Sequence, residues 1–403
     1  MTRRYLFFWG IFCSFVLSNF AARTVKAMDG VTDTQVLFGQ SAALTGPAKG
    51  LGLNLQKGIL AAFAEINSKK GVHGRRLKLK SLDDHYEPEV AIKNIYRLIN
   101  KTKVFSLIGG VGTPTSKAVV PIVAKSKKLY IGPLTGAFFL RSSYRDTVVN
   151  VRASYFQEIR AMVFRLQKDL KIKRIAIFYQ NDSYGIDGLN SLEKAVKEAG
   201  KGLRIVSRGS YLRNTMSVKT ALLDIRKGHP EAIITIGTYS PVAHFIKWAE
   251  KLKIKSTVFL SVSFVGVNAL AKKLKHSKSF VVVTQVVPFP HDRTKPFIRH
   301  YHRAMKKIKS LNAIGFVSLE GYIVGRLVIE SLKRAGRNLT AKNFTKVFKE
   351  QKSIFNIDGF RLSYTKKNNQ GSNRVFFTRL NKGKVFSIKT LKARAVFKNK
   401  KNN

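Results

Sequence analysis

The residues best placed to do chemistry in this chain lie where short apolar runs give way to Gly, Pro, Ser and Thr. Three such stretches are residues 41–50, Gly109-Gly-Val-Gly-Thr-Pro-Thr-Ser116 and Gly132-Pro-Leu-Thr-Gly136. Small residues let a ligand approach backbone N–H groups closely, although Gly46 and Pro47 taken alone only make a turn. Asp83-Asp84 invites a metal or acid/base reading. A pair at a strand end more often caps the next helix, and that reading is favoured. The eight histidines show no metal-ligand spacing, and His300 and His302 sit in a basic stretch that reads as solvated. Gly109 to Gly112 follow a strand but lack dinucleotide spacing. There is no nucleophile elbow, phosphate loop or zinc signature. No catalytic group, metal or cofactor is expected, so the chemistry on offer is binding.

The elements that would carry these loops alternate regularly. Residues 35–39 read as a buried strand, and Leu55, Ile59, Leu60, Phe63 and Ile66 give the following helix an apolar face from Leu53 onward. Strands at 77–82, 104–108 and 128–131 follow, with a helix opening at Pro88 and another carrying Val119, Val120, Ile122 and Val123. Parallel strands place their loops on one edge of a sheet. Residues 148–151 read as a short strand and a crossing point. A second series has strands at 173–179, 203–206, 232–236, 257–260 and 279–287, with helices opening at Tyr184 and spanning 216–227 and 241–252. Helices at 297–308 and 315–332, a capped start at Thr340 and a hairpin over 374–389 complete the chain. Two α/β series of similar size imply two lobes with a cleft between them.

At 403 residues the chain has room for two domains. Its net charge of +52 bears on partners rather than on fold. It fits an anionic ligand, a polyanionic surface or a generally basic composition. Arg3 and Arg4 precede an apolar run from Tyr5 to Phe20, and Val25-Lys-Ala27 offers small residues for cleavage. This is the pattern of a secretory signal peptide over 1–27, favoured over an uncleaved anchor. Its removal would leave +48 and no cysteine, because Cys13 lies inside it. A chain of that size needs no disulfide.

Seven segments in order now resemble a known family. They are residues 39–47, 58–67, 71–75, Asp83-Asp84, 107–109, Asp182-Ser-Tyr-Gly185 and Ser263-Phe-Val-Gly266. The chain resembles the type I periplasmic substrate-binding proteins of ABC transporters, in the leucine/isoleucine/valine-binding branch. The resemblance implies an α/β fold of two lobes, each a mainly parallel sheet flanked by helices, joined by three hinge crossovers. Carried over, lobe one is 33–149 plus 288–370, lobe two is 150–287 plus 371–391, and 392–403 is a basic tail. It also implies a ligand site. Thr113, within Gly112-Thr113-Pro114-Thr115, matches the hydroxyl that holds a ligand carboxylate, and its hydroxyl and nearby N–H groups suit an oxyanion. Leu134, Thr135 and Gly136 match the loop after the fourth strand, with Gly136 at the family's threonine position. Leu51 stands where the family has an aromatic. Tyr184 and Tyr239 match aromatics that close over the ligand, and Ser263 and Phe264 lie in the lobe-two loop that carries an acid for an ammonium. That loop has no acid here, and Asp182 or Asp187 are the candidates to compensate. Without the resemblance, Thr113 and Thr115 read as helix caps and the tyrosines as packing residues.

The function so implied is extracytoplasmic capture of a small polar metabolite, an amino acid or related amide or carboxylate, for delivery to an ABC transporter membrane permease. The rival is a non-transport binding or scaffold protein that uses its basic surface on an anionic membrane or polysaccharide. An enzyme is the weakest reading, and nucleic acid fits the charge but not the export signal.

Overall fold

The computed structural model describes residues 28–200, 202–254 and 258–392. The expected signal peptide, and all but the first residue of the expected basic tail, lie outside the described residues. The first series runs β1 (Gln35–Ala42), α1 (Lys49–Asn67), β2 (Arg76–Asp83), α2 (Pro88–Tyr96), β3 (Ser106–Ile108), α3 (Thr113–Lys125), β4 (Tyr130–Ile131) and β5 (Val148–Val149). These strands form a five-stranded parallel sheet in the order β2-β1-β3-β4-β5. β1 is buried along most of its length because helices cover both faces of the sheet, which is why it reads as an apolar run.

The second series is α4 (Tyr155–Leu170), β6 (Arg174–Gln180), α5 (Ser183–Ala199), β7 (Arg204–Tyr211), α6 (Lys219–Lys227), β8 (Ala232–Ile236), α7 (Tyr239–Lys251), β9 (Val258–Ser261), α8 (Val267–Lys273) and β10 (Phe280–Gln285). The chain then returns to the first sheet through α9 (Pro296–Lys307), α10 (Phe316–Ala335), α11 (Ala341–Lys349) and a hairpin of β11 (Ser353–Ile357) and β12 (Phe360–Tyr364). It ends on β13 (Phe376–Asn381) and β14 (Lys384–Ile388), which pair antiparallel on the edge of the second sheet. That sheet has seven strands in the order β14-β13-β10-β9-β8-β6-β7. The result is a two-lobed α/β fold, each lobe built on a parallel-dominated sheet.

Several elements differ from the sequence reading. α1 begins at Lys49 rather than Leu53, and α3 begins at Thr113, so Gly112 to Thr115 form a helix N-terminus rather than a loop. Helices α4 and α8 and the β11–β12 hairpin did not stand out in the sequence. α10 lies against α1 at very short range. A Cβ on Gly58 would stand 2.0 Å from the Ser318 carbonyl oxygen, and one on Gly321 would stand 2.2 Å from that of Leu55. Glycine is the one residue that permits this approach.

Two of the passages between lobes run side by side. Asn150 N–H donates to the Asn369 carbonyl and Gly371 N–H to the Asn150 carbonyl, each at 2.8 Å, and the Tyr364 hydroxyl donates to the same Asn150 oxygen at 3.1 Å. The Asn369 side chain donates to the carbonyls of Leu140 and Val148. Just beyond, Ser154 and Gln157 cap α4 reciprocally. Among the described residues no helix is long and apolar enough to cross a membrane.

Candidate functional site between the lobes

The loops after β3 and β4 are laced together by main-chain bonds. Leu134 N–H donates to the Gly110 carbonyl at 2.8 Å and Gly112 N–H to that of Leu134 at 3.3 Å. This pairing brings the hydroxyls of Thr113 and Thr135 to 2.7 Å from each other, both fully buried. Gly112 sits at φ 106, a conformation glycine adopts freely, and a Cβ there would meet the Tyr86 ring at 2.2 Å. Gly136 lets Tyr155 close in: its carbonyl accepts from Tyr155 N–H at 2.9 Å, and a Cβ would lie 2.6 Å from that nitrogen. The Tyr155 hydroxyl then stands 3.4 Å from that of Thr113. Thr115 takes no part, because its hydroxyl donates back to the Val111 carbonyl at 2.5 Å. Neither threonine caps α3, whose N-cap is Gly112 without a side-chain bond.

The second lobe meets these hydroxyls with aromatic rings. Asp182 caps α5 by accepting from Tyr184 N–H at 2.9 Å and so aims the Tyr184 ring inward. That ring lies 5.3 Å from Tyr155 and 4.8 Å from Phe264, and Phe264 lies 6.1 Å from Tyr86. The Tyr86 hydroxyl accepts from Gln180 Nε2 at 3.3 Å, a bond between the lobes. Burial raises the phenols of Tyr184 and Tyr86 well above their ordinary range and that of Tyr155 to about 12. All three therefore keep their proton at ordinary pH and can donate it in a hydrogen bond. The Tyr184 hydroxyl makes no hydrogen bond among the described residues.

Leu51 and Tyr239 stand at a different edge. The Tyr239 hydroxyl accepts from Gly50 N–H at 3.2 Å, and Leu51 Cδ2 and Tyr239 Cδ1 approach the Cβ position of Gly266 to 3.0 and 3.2 Å. They border a cavity of about 210 Å³ that also has Asn54, Asn268 and Lys272 in its wall. Of the sequence candidates, Gly112, Thr113, Thr135, Gly136, Tyr184 and Phe264 thus converge directly. Leu134 fixes the loops by its main chain, and Leu51 and Tyr239 approach Gly266, two residues along the turn from Phe264.

The charged part of the site was not visible in the sequence. Arg152, 1 % exposed, lies on the first passage between lobes. Its Nη2 donates to the Ser263 hydroxyl, its Nε lies 3.3 Å from Glu320 Oε1 on α10, and Glu158 Oε1 on α4 is 4.0 Å from Nη2. Glu158, fully buried, accepts from Ser263 N–H at 2.8 Å, the Ser263 hydroxyl at 3.0 Å and the Thr284 hydroxyl at 2.6 Å. So the turn that lacks an acid of its own is held by one from a distant helix. Burial alone would lower the Arg152 guanidinium, but Glu320 and then Glu158 outweigh it and leave it raised. Burial raises the Glu320 carboxyl. Arg141 joins the cluster by donating to the Arg152 carbonyl at 3.0 Å; burial, with the Arg152 charge beside it, lowers it to about 10. The Ser154–Gln157 capping box signals α4, and with it Tyr155 and Glu158; nothing local marks Arg152 or Glu320.

Other sequence readings are corrected here. Asp83 and Asp84 do not cap α2. Asp83 accepts from Leu44 N–H and the Thr45 hydroxyl, and Asp84 from the Ser41 hydroxyl and Tyr86 N–H, so they pin the β1–α1 loop to the end of β2. Asp182 is taken by its cap, by Gln180 and by Arg213, and Asp187 by Phe138 N–H at 2.8 Å. His302 is buried against the Pro290 carbonyl at 2.8 Å, and His300 pairs with Asp358 at 2.7 Å, so neither is simply solvated. Among the described residues no cluster of three or more His, Cys, Asp or Glu could hold a metal ion.

The periplasmic binding protein family profile matches residues 35–384, most of the chain. The chain belongs to this family. Leu/Ile/Val-binding protein homolog 7 of Brucella abortus (strain 2308) is 25% identical over 318 residues, 74% of this chain and 77% of that protein. For the same-named protein of Brucella suis biovar 1 the match spans 224 residues at 25% identity, 54% of this chain and only 55% of the relative. Among solved structures, a possible leucine/isoleucine/valine-binding protein from Rhodopirellula baltica SH 1 superposes with a TM-score of 0.81 at 34% identity, covering 91% of this chain and 98% of that one. A branched chain amino acid ABC transporter protein from Thermus thermophilus, solved with bound valine, superposes at 0.79 with 17% identity over 91% of this chain and 99% of that one, a likeness of fold. It is therefore a periplasmic binding protein whose relatives include Leu/Ile/Val-binding proteins.

Proposed function

We propose that this binding protein captures a small polar metabolite, an amino acid or a related amide or carboxylate, outside the cytoplasm and delivers it to an ABC transporter permease. The observation that carries the reading is the convergence of the Thr113 and Thr135 hydroxyls of one lobe with Tyr184 and Phe264 of the other. Ligand entry requires the lobes to part, and closure brings Tyr184 over the ligand. The ligand must bind the closed arrangement more tightly than the open one for capture to shift the population. Export would follow from the signal peptide pattern over 1–27. The protein alters no bond of its ligand, in keeping with relatives that are binding proteins. A thermal-shift screen over amino acids, amides and organic acids tests this. A ligand at a hundred times its Kd stabilises by about 2.7 kcal/mol, and Thr113→Ala should diminish the shift. If no metabolite moves the melting temperature, the capture reading fails.

A further inference from the structure

Positive charge gathers at one end of the second sheet. Lys251 ends α7 and Lys253 follows it, Lys275 and Lys278 follow α8, and Lys382 and Lys384 flank Gly383 in the turn from β13 to β14. All six are exposed, and among the described residues none of them is in an ion pair. Packing joins them into one face. Lys275 Cγ lies 3.2 Å from where a Cβ on Gly383 would stand. Glu250, beside Lys251, accepts from the N–H groups of Lys278 and Ser279 at 2.8 Å each and from the hydroxyls of Ser277 and Ser279 at 2.7 and 2.8 Å. The acid of this face is thus turned to holding a loop.

Helix dipoles explain part of this. The C-terminus of α7 favours a cation such as Lys251. Lys278, Lys382 and Lys384 stand on a loop and a hairpin turn, where no such field acts. Like charges crowded on one face repel and work against the fold, so the cluster suits a partner that brings negative charge. Six lysines without an arginine are mobile, hydrated point charges rather than planar forks cut for a single phosphate. Spread over a helix end, a loop and a turn, they match a broad field of separate anions better than one small ion. The face lies at the starts of β9 and β10, whereas the Ser263–Phe264 turn follows the end of β9. Cleft and cationic end are therefore at opposite ends of the sheet.

We propose that this end of the second lobe docks on the headgroups of an anionic phospholipid membrane. Docking needs no ligand in the cleft, so it is independent of the capture reading above. It holds the protein beside a membrane with the cleft turned away from the headgroups and free to load.

Co-sedimentation of the full chain with vesicles tests this, using about one quarter phosphatidylglycerol in phosphatidylcholine and phosphatidylcholine alone. The anionic vesicles should bind at least about ten-fold more tightly. That binding should fall by about ten-fold or more between about 50 and about 300 mM NaCl, as screening shortens the reach of the charges. A lysine beside an anionic surface contributes roughly five-fold in affinity, so the triple variant Lys275→Gln, Lys382→Gln, Lys384→Gln should lose about a hundred-fold. Removing the same charge from exposed positions of the first lobe, with Lys69→Gln, Lys101→Gln, Lys125→Gln, should change binding by about two-fold or less. Both triple variants should melt with the wild type, because every position changed is exposed. The lipid and salt comparisons need no variant. Equal binding to the two kinds of vesicle, equal losses in the two triple variants, or retention on dextran sulfate with none on anionic vesicles would each overturn the assignment.

Discussion

Replacing Arg152 by methionine keeps most of the side-chain stem and removes the charge. It leaves Glu320, 4 % exposed, and Glu158, 0 % exposed, without their partner. Breaking a buried ion pair from one side costs about 3–5 kcal/mol. Glu158 keeps three hydrogen bonds, so most of that loss falls on Glu320, whose close interaction among the described residues is the ion pair with Arg152. Adding Glu320→Gln to Arg152→Met removes the orphaned charge and should recover roughly 2 kcal/mol. The sign with pH is fixed as well. Burial raises the Glu320 carboxyl, so the folded chain holds that proton more tightly than the unfolded one. Lowering the pH toward the carboxylate range therefore favours the folded Arg152→Met protein, and its deficit shrinks. Equilibrium urea unfolding followed by circular dichroism, at neutral and at mildly acidic pH, measures all of this. A cost under about 1 kcal/mol, or a double variant no better than the single, would refute the view of Arg152 as the counter-charge of this cluster.

Thr113→Val breaks the buried bond to Thr135 and leaves that hydroxyl short of a partner; it should cost about 1–3 kcal/mol in urea unfolding and weaken ligand-induced thermal shifts. Ser154→Ala removes half of the α4 capping box and should cost about 1 kcal/mol by the same assay. Burial pushes the Asp84 carboxyl up to about 6. The folded chain thus binds a proton that the unfolded chain has lost, and stability falls as pH rises from about 4 to 6. That contribution, on the order of 2–3 kcal/mol, should vanish from the pH profile of Asp84→Asn.

The framework was legible because parallel strands covered by helices leave nearly continuous apolar runs such as 232–236, which the structure places as β8 over the same residues. Strand ends were less sharp: β3 and β4 pair over fewer residues than their apolar runs suggest, since pairing depends on neighbours the sequence does not display. α4 is harder to read, although Ser154 and Gln157 announce it, because it follows the crossing with no Gly or Pro to mark its start. In the site, Thr113 and Tyr184 stand beside punctuation a reader can see, at strand ends and helix starts. Arg152 and Glu320 do not. They meet across 168 positions of chain, and one more arginine among 74 basic residues carries no local mark of burial. Their pairing exists only once α10 has packed on α1.

The two strips of backbone that pass between the lobes at Asn150 and Gln370 are stitched by main-chain bonds in both directions. Such a ribbon tolerates twisting far better than slippage, because sliding one strip past the other would break both bonds at once whereas a shared rotation preserves them. Were the halves to part, the paired strips at Asn150 and Gln370 would hold the axis of that rotation.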